Sequence, residues 1–137
     1  MFSLSAKSTY GVSAVLELAY RYGGGAVQIR EIASSQEIPH HYLEQILVAL
    51  KRGGFVQSFR GAQGGYALAR PPADIQLYEV LTLLEGPLNV APEGRGDERL
   101  CGLWSALTSD IRQRLDRSFA EIIEEIRRNQ EHFNFSI

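Results

Sequence analysis

Glu44 and Gln45 stand side by side in a stretch of mixed polar and apolar residues running from His40 to Arg52. A glutamine amide presents an acceptor and a donor in one plane, matching the paired groups on the major-groove edge of adenine, and a carboxylate can accept from the amino group of cytosine. Further along, Arg60-Gly61-Ala62-Gln63-Gly64-Gly65 puts one guanidinium on a glycine-rich turn. Such a tip is thin, adaptable and cationic, which suits a narrow minor groove of high negative potential. Taken separately, the first pair reads as solvated helix residues and the second as a plain hairpin turn with a rim charge. A phosphate cradle is excluded, because that loop needs a strand-to-helix setting and, in its commonest form, Gly-Lys-Ser/Thr. No Ser/His/Asp set or pair of carboxylates suggests catalysis.

These side chains need a helix that hides one face and offers the other. Within 40–52, Leu43, Ile46, Leu47 and Leu50 recur at i, i+3, i+4 and i+7, while His41, Glu44, Gln45 and Val48 repeat the spacing on another face. Two helices are predicted before it. The first covers 6–21, with Tyr10, Val12, Val15, Leu16 and Ala19 as its apolar face, and ends at Gly23-Gly24-Gly25. The second covers 28–35 and lacks a good Ser, Thr or Asp cap. Phe55 to Phe59 and Tyr66 to Ala69 read as two strands about the glycine turn. Three short helices followed by a hairpin make a winged helix-turn-helix. Leu77, Val80, Leu81 and Leu84 mark a fourth helix, closed by Gly86-Pro87, and residues 88–100 read as loop.

The last segment, 103–130, is expected to form one long helix, because Trp104, Leu107, Ile111, Leu115, Phe119, Ile122 and Ile126 advance by three or four residues. At 1.5 Å per residue it would span about 40 Å, more than the domain before it. Such a stripe needs an external partner, and a second copy is the simplest source.

Hydrophobic residues make up 45% of the 137, enough for a packed core. The net charge of −2 conceals an asymmetry: residues 1–70 carry seven Lys/Arg against four carboxylates, and residues 71–137 carry seven against twelve. A basic half joined to an acidic half suggests that only the first meets a polyanion. No apolar run approaches the roughly 18 residues of a membrane span. MFSLSAKSTY lacks the pattern of a signal peptide, so a cytoplasmic location is expected. The single cysteine, Cys101, allows no intrachain disulfide and no cysteine metal knuckle.

His41-Tyr42-Leu43-Glu44-Gln45-Ile46-Leu47, then Leu50-Lys51-Arg52-Gly53-Gly54-Phe55-Val56, then Arg60-Gly61-Ala62-Gln63-Gly64-Gly65-Tyr66, closely resembles the Rrf-type winged-helix regulators. Lys7 and Tyr10, Val80 to Gly86, and Leu103-Trp104 extend the likeness over almost the whole chain. The resemblance implies a homodimeric transcription regulator, expected to be a repressor, on a palindromic site in double-stranded DNA. By position it implies base contacts from Glu44 and Gln45 and a minor-groove contact from Arg60. His41 would open the reading helix, with Tyr42, Lys51, Gly61, Gly64 and Gly65 completing the DNA-binding set. His41 stands where the family often has Ser, and Thr9 where an Arg often precedes Tyr10. Many members hold a [2Fe–2S] cluster through three cysteines in the loop before the long helix. Here only Cys101 is present, so the usual ligand set cannot form, although a cluster sharing Cys101 with His, Glu or Asp of a partner subunit stays open. Cys101 can equally be a thiol switch, activated by Arg99 and a helix start, or a small buried filler.

The expected organisation is a winged helix-turn-helix domain over 1–86, a sensor loop over 87–102, where a small-molecule or protein effector would act, and a dimerisation helix and tail over 103–137. No metal site is assigned. Two rivals remain: a winged-helix adaptor that binds protein instead of DNA, and a small redox enzyme using Cys101.

Overall fold

A computed structural model describes residues 3–136, with side chains through residue 132. Among these, the order is α1 (Ala6–Tyr20), α2 (Ile29–Gln36), α3 (His40–Arg52), β1 (Val56–Phe59), β2 (Gly65–Leu68), α4 (Leu77–Glu85), α5 (Cys101–Leu115) and α6 (Phe119–Ser136). Short 3-10 turns at Pro72–Asp74 and Glu98–Leu100 precede α4 and α5. The strands pair antiparallel, Val56 opposite Leu68 and Phe59 opposite Gly65. This is a mainly α winged helix-turn-helix. No helix of the described residues is long and apolar enough to cross a membrane.

Ser5 starts α1: its backbone is extended and its hydroxyl accepts from the Ser8 N–H at 3.2 Å. The buried face of α1 runs through Ser8, Gly11, Ala14, Val15, Leu18 and Ala19. Of the apolar face expected from the sequence, Tyr10, Val12 and Leu16 only pack against the core from its edge. The smallest residues lie inside because α4 comes so close. A Cβ at Gly11 would stand 2.3 Å from Leu84 Cδ1. The same contact lets Glu85, the last residue of α4, accept from the Ser5 N–H. That backbone hydrogen bond, with help from the Ser5 and Ser8 side chains, holds the Glu85 carboxyl below its ordinary range. As the sequence suggested, α2 begins at Gln28 without a side-chain cap.

The C-terminal segment corrects the expectation of one long helix. Asp116 and Arg117 break it, and Ser118 restarts it: the Ser118 hydroxyl accepts from the Glu121 N–H at 3.1 Å, an N-cap. The break is held by two backbone bonds to the strand-like approach to α4. The Leu77 N–H donates to Arg117 O at 2.8 Å, and the Phe119 N–H to Ile75 O at 3.0 Å. Phe119 is consequently fully buried in the core of its own chain, with Ile122 packed against that core. The proposed seam therefore does not continue past Leu115 as one line. Its apolar period stays in phase across the break, but the chain turns, and the residues beyond face inward. Ser118-x-x-Glu121 is a capping-box pattern that marks the restart in the sequence itself.

Phe119→Ala should lower the unfolding free energy by about 3–5 kcal/mol, the cost of emptying a fully buried aromatic site. Urea unfolding measures it, and a loss near zero would place this ring outside the core.

Candidate nucleic-acid interface

The rotation of α3 is set by burial. Leu43, Ile46, Leu47 and Leu50 are each 0% exposed. On the opposite side His41, Glu44, Gln45, Val48, Lys51 and Arg52 are all exposed. Glu44 is not unattended: His40 Nδ1 lies 3.0 Å from its Oε1, an ion pair whenever the imidazole is protonated. Tyr42 lies to the side of this face, half-buried, its ring edge-on to Tyr10 with centroids 5.6 Å apart. Lys51 reaches the hairpin, where its ammonium donates to Ser58 Oγ at 2.7 Å and joins the end of α3 to β1. Sequence reasoning did not single out His40 or Ser58 for these pairings. The i, i+4 spacing of His40 and Glu44 was the available signal.

The wing projects beside α3, with Arg60 and Gly61 exposed at its tip. Its glycines answer first to the fold. The Gly64 N–H closes the turn on Gly61 O at 2.9 Å, and a Cβ at Gly64 would lie 2.5 Å from Phe59 O. Gly65 has φ +144°, and a Cβ there would lie 2.3 Å from Val27 O. That crowding arises because Val27 forms a third, one-residue strand: Val27 and Tyr66 exchange two backbone hydrogen bonds of 2.8 Å. The segment between α1 and α2 thus pins the return strand of the wing.

Charge is partitioned by pairing. Among the described residues, Arg21 is spent on Glu17 and Glu31, and Arg70 on Glu79 and the face of Phe55. Lys7, Arg30, Lys51, Arg52 and Arg60 take part in no ion pair with a described carboxylate. In the acidic half Arg95, Arg99, Arg117 and Arg127 each hold a carboxylate of their own. The hydrogen-bonded partners pull Asp97 and Glu124 below the ordinary carboxyl range. Arg112, Arg114 and Arg128 of that half also take part in no ion pair with a described carboxylate, Arg112 lying over the Tyr78 ring, so five of the seven cations of residues 1–70 but three of the seven of residues 71–137 are left over for a polyanion.

A family model described as Rrf2, iron-dependent transcriptional regulator, matches residues 4–128. The chain belongs to the Rrf2 family. A Synechocystis protein named as an HTH-type transcriptional regulator is 37% identical over 123 residues, covering 90% of this chain and 82% of its own. The HTH-type regulator CymR of Bacillus subtilis is 33% identical over 119 residues, 86% of each chain. The structure of B. subtilis CymR, titled the global cysteine regulator, superposes with TM-score 0.83 at 30% identity, covering 91% of this chain and 98% of that one. IscR of T. potens superposes with TM-score 0.79 at 34% identity, covering 91% and 88%. This Rrf2 protein is a DNA-binding transcriptional regulator, and its family and relatives are regulators, not enzymes.

The family description names iron, and iron–sulfur clusters are held chiefly by thiolates. This Rrf2 chain has one cysteine, and no three His, Cys, Asp or Glu side chains of its described residues are grouped to hold a metal. Its own donor set does not fit a three-cysteine cluster. Cys101 is the first residue of α5 and is exposed, not the buried filler weighed from sequence. Arg99 is engaged with Asp97 (2.6 Å) instead of the thiol. Cys101, Trp104, Thr108 and Arg112 border an open cleft of about 590 Å³ under the 88–98 loop. Thr108 anchors that loop, accepting from the Val90 N–H at 3.2 Å and donating to Trp104 O at 2.9 Å.

The helix α5 is the other unfinished surface of the regulator. None of its 15 residues is buried within the chain. Leu103 and Leu107, with Leu100 one turn before, are at least 40% exposed and share one face. The remaining residues of the expected seam diverge: Trp104 faces the cleft, Ile111 and Leu115 border a second cavity beside α4, and Ile126 is half-buried on α6.

Gly65→Ala should cost about 1–3 kcal/mol of stability, because the added methyl forces the wing strand off Val27 in a backbone region that only glycine adopts freely. Denaturant titration checks this, and an unchanged midpoint would mean that β2 is not seated on Val27.

Proposed function

We propose that this regulator works as a homodimer, two copies pairing through α5, on a palindromic operator in double-stranded DNA. The pairing holds two α3 helices about 34 Å apart, one DNA turn, so that both enter successive major grooves. Glu44 and Gln45 read base edges, with His41 and Lys51 beside them, and Arg60 enters the flanking minor groove from the wing tip. Bound across a promoter, the dimer represses by occupying it, in the cytoplasm. Signals act at the 87–102 loop: a redox change at Cys101, or a small-molecule or protein effector bound against α5, alters the separation of the reading helices.

The observation that carries this reading is the face of α3. Four fully buried aliphatic residues turn outward His41, Glu44, Gln45, Lys51 and Arg52, donors and acceptors that the core does not use; among the described residues only Glu44, beside His40, and Lys51, bonded to Ser58, have polar partners on the surface. The unpaired cations of the same half supply the sequence-independent attraction to phosphates. They also favour a nucleic acid over the protein ligand of an adaptor. Leucines at 40–50% exposure on a helix with no buried residue support pairing of copies.

Gln45→Ala should lose about 1–3 kcal/mol at the preferred site and relax preference at one base position. Fluorescence anisotropy on matched and mismatched duplexes measures both, and equal loss on every sequence would overturn base reading by this residue. Leu107→Asp should convert dimer to monomer in sedimentation velocity at micromolar concentration while leaving the fold intact, since the side chain is already exposed. A persisting dimer would rule out this face of α5.

A further inference from the structure

We infer that Val48 reads the C5-methyl group of a thymine in the major groove, an assignment that rests on α3 being the base-reading helix. Val48 is 45% exposed and is the only large apolar residue of α3 that is exposed. Each helical residue advances about 100°, which sets Val48 between Glu44 and Gln45 and diametrically across from Ile46 and Leu50. It therefore occupies the middle of the polar face, not its margin with the core.

No contact among the described residues accounts for valine there. The core is complete behind it, with Leu43, Ile46, Leu47 and Leu50 fully buried. A β-branched side chain facing solvent also loses rotamer freedom in a helix that lysine, glutamate or alanine would suit better. A docking surface for another protein would need a contiguous apolar patch, whereas Val48 is flanked on its own helix by His41, Glu44, Gln45 and Arg52. Those neighbours discriminate bases by hydrogen bonding. The one apolar feature on the major-groove floor is the thymine methyl, and only an apolar side chain gains by covering it. The two methyls of Val48 are the group of matching chemistry, placed between the two side chains that read the adjoining edges.

The test uses the full chain. High-affinity duplexes are selected from a random pool, and each thymine of the selected sequence is then replaced singly by deoxyuridine, which removes the methyl and leaves every hydrogen-bonding group in place. The wild type should lose about fourfold in affinity at one thymine per half-site, the worth of one buried methyl. Val48→Ala should bind the thymine and deoxyuridine duplexes equally at that position, and Val48→Thr, which keeps one branch methyl, should retain part of the difference. Selectivity at the base read by Gln45 should survive in both variants. Deoxyuridine substitution that is neutral everywhere, or that costs wild type and Val48→Ala the same, would overturn the inference while leaving base reading by α3 intact. A pool that yields no preferred sequence would overturn base reading by α3, and this inference with it.

Discussion

The packing of four aliphatic side chains beneath α3 governs most of what this molecule can do. A helix buried along Leu43, Ile46, Leu47 and Leu50 has no freedom to roll, since a roll of one residue would drive Glu44 or Ile46 into the wrong medium. The cost of burying a carboxylate without a partner far exceeds the few kcal/mol gained from any single aliphatic contact. The polar side chains of the outer face are therefore positioned by hydrophobic burial on the inner one. The same cluster receives Val15 and Leu18 from α1, Val80 and Leu84 from α4, and Phe119 from α6, so the outer face of α3 is referenced to the whole domain.

The wing depends on a different constraint, the closeness of backbones. Val27 bonds to both sides of Tyr66, and this brings the chain so near Gly65 that no side chain fits. Glycines that look, in sequence, like a flexible tip for a groove turn out to be needed for seating the hairpin. Lys51 bonding to Ser58 then ties the hairpin to the end of α3. Helix and wing are thereby fastened to each other as well as to the core.

Behind the domain, the break at 116–118 separates two helices that a single rod would have merged. The reciprocal bonds of Leu77 and Phe119 with Arg117 and Ile75 fasten α6 to the winged-helix core. That leaves α5 as an arm with no buried residue, joined to the 88–98 loop through Thr108 and Val90.

The sequence by itself determined the winged-helix elements, the buried stripe of α3 and the outward place of Glu44, Gln45 and Arg60, because helical and strand periods are local and burial follows them. It also held, in Ser118-x-x-Glu121, a local sign of the helix restart that the in-phase apolar period masked. Tertiary structure alone decided what depends on neighbours remote in the chain. It chose Ser8 and Gly11 over Tyr10 and Val12 for the core, because α4 approaches too closely for larger groups. It moved Phe119 from an expected seam into the core, and it committed Arg21 and Arg70 to carboxylates while leaving Arg60 exposed and unpaired among the described residues. Contacts of this kind are set by where separate elements meet, and no period or motif within one element encodes that meeting.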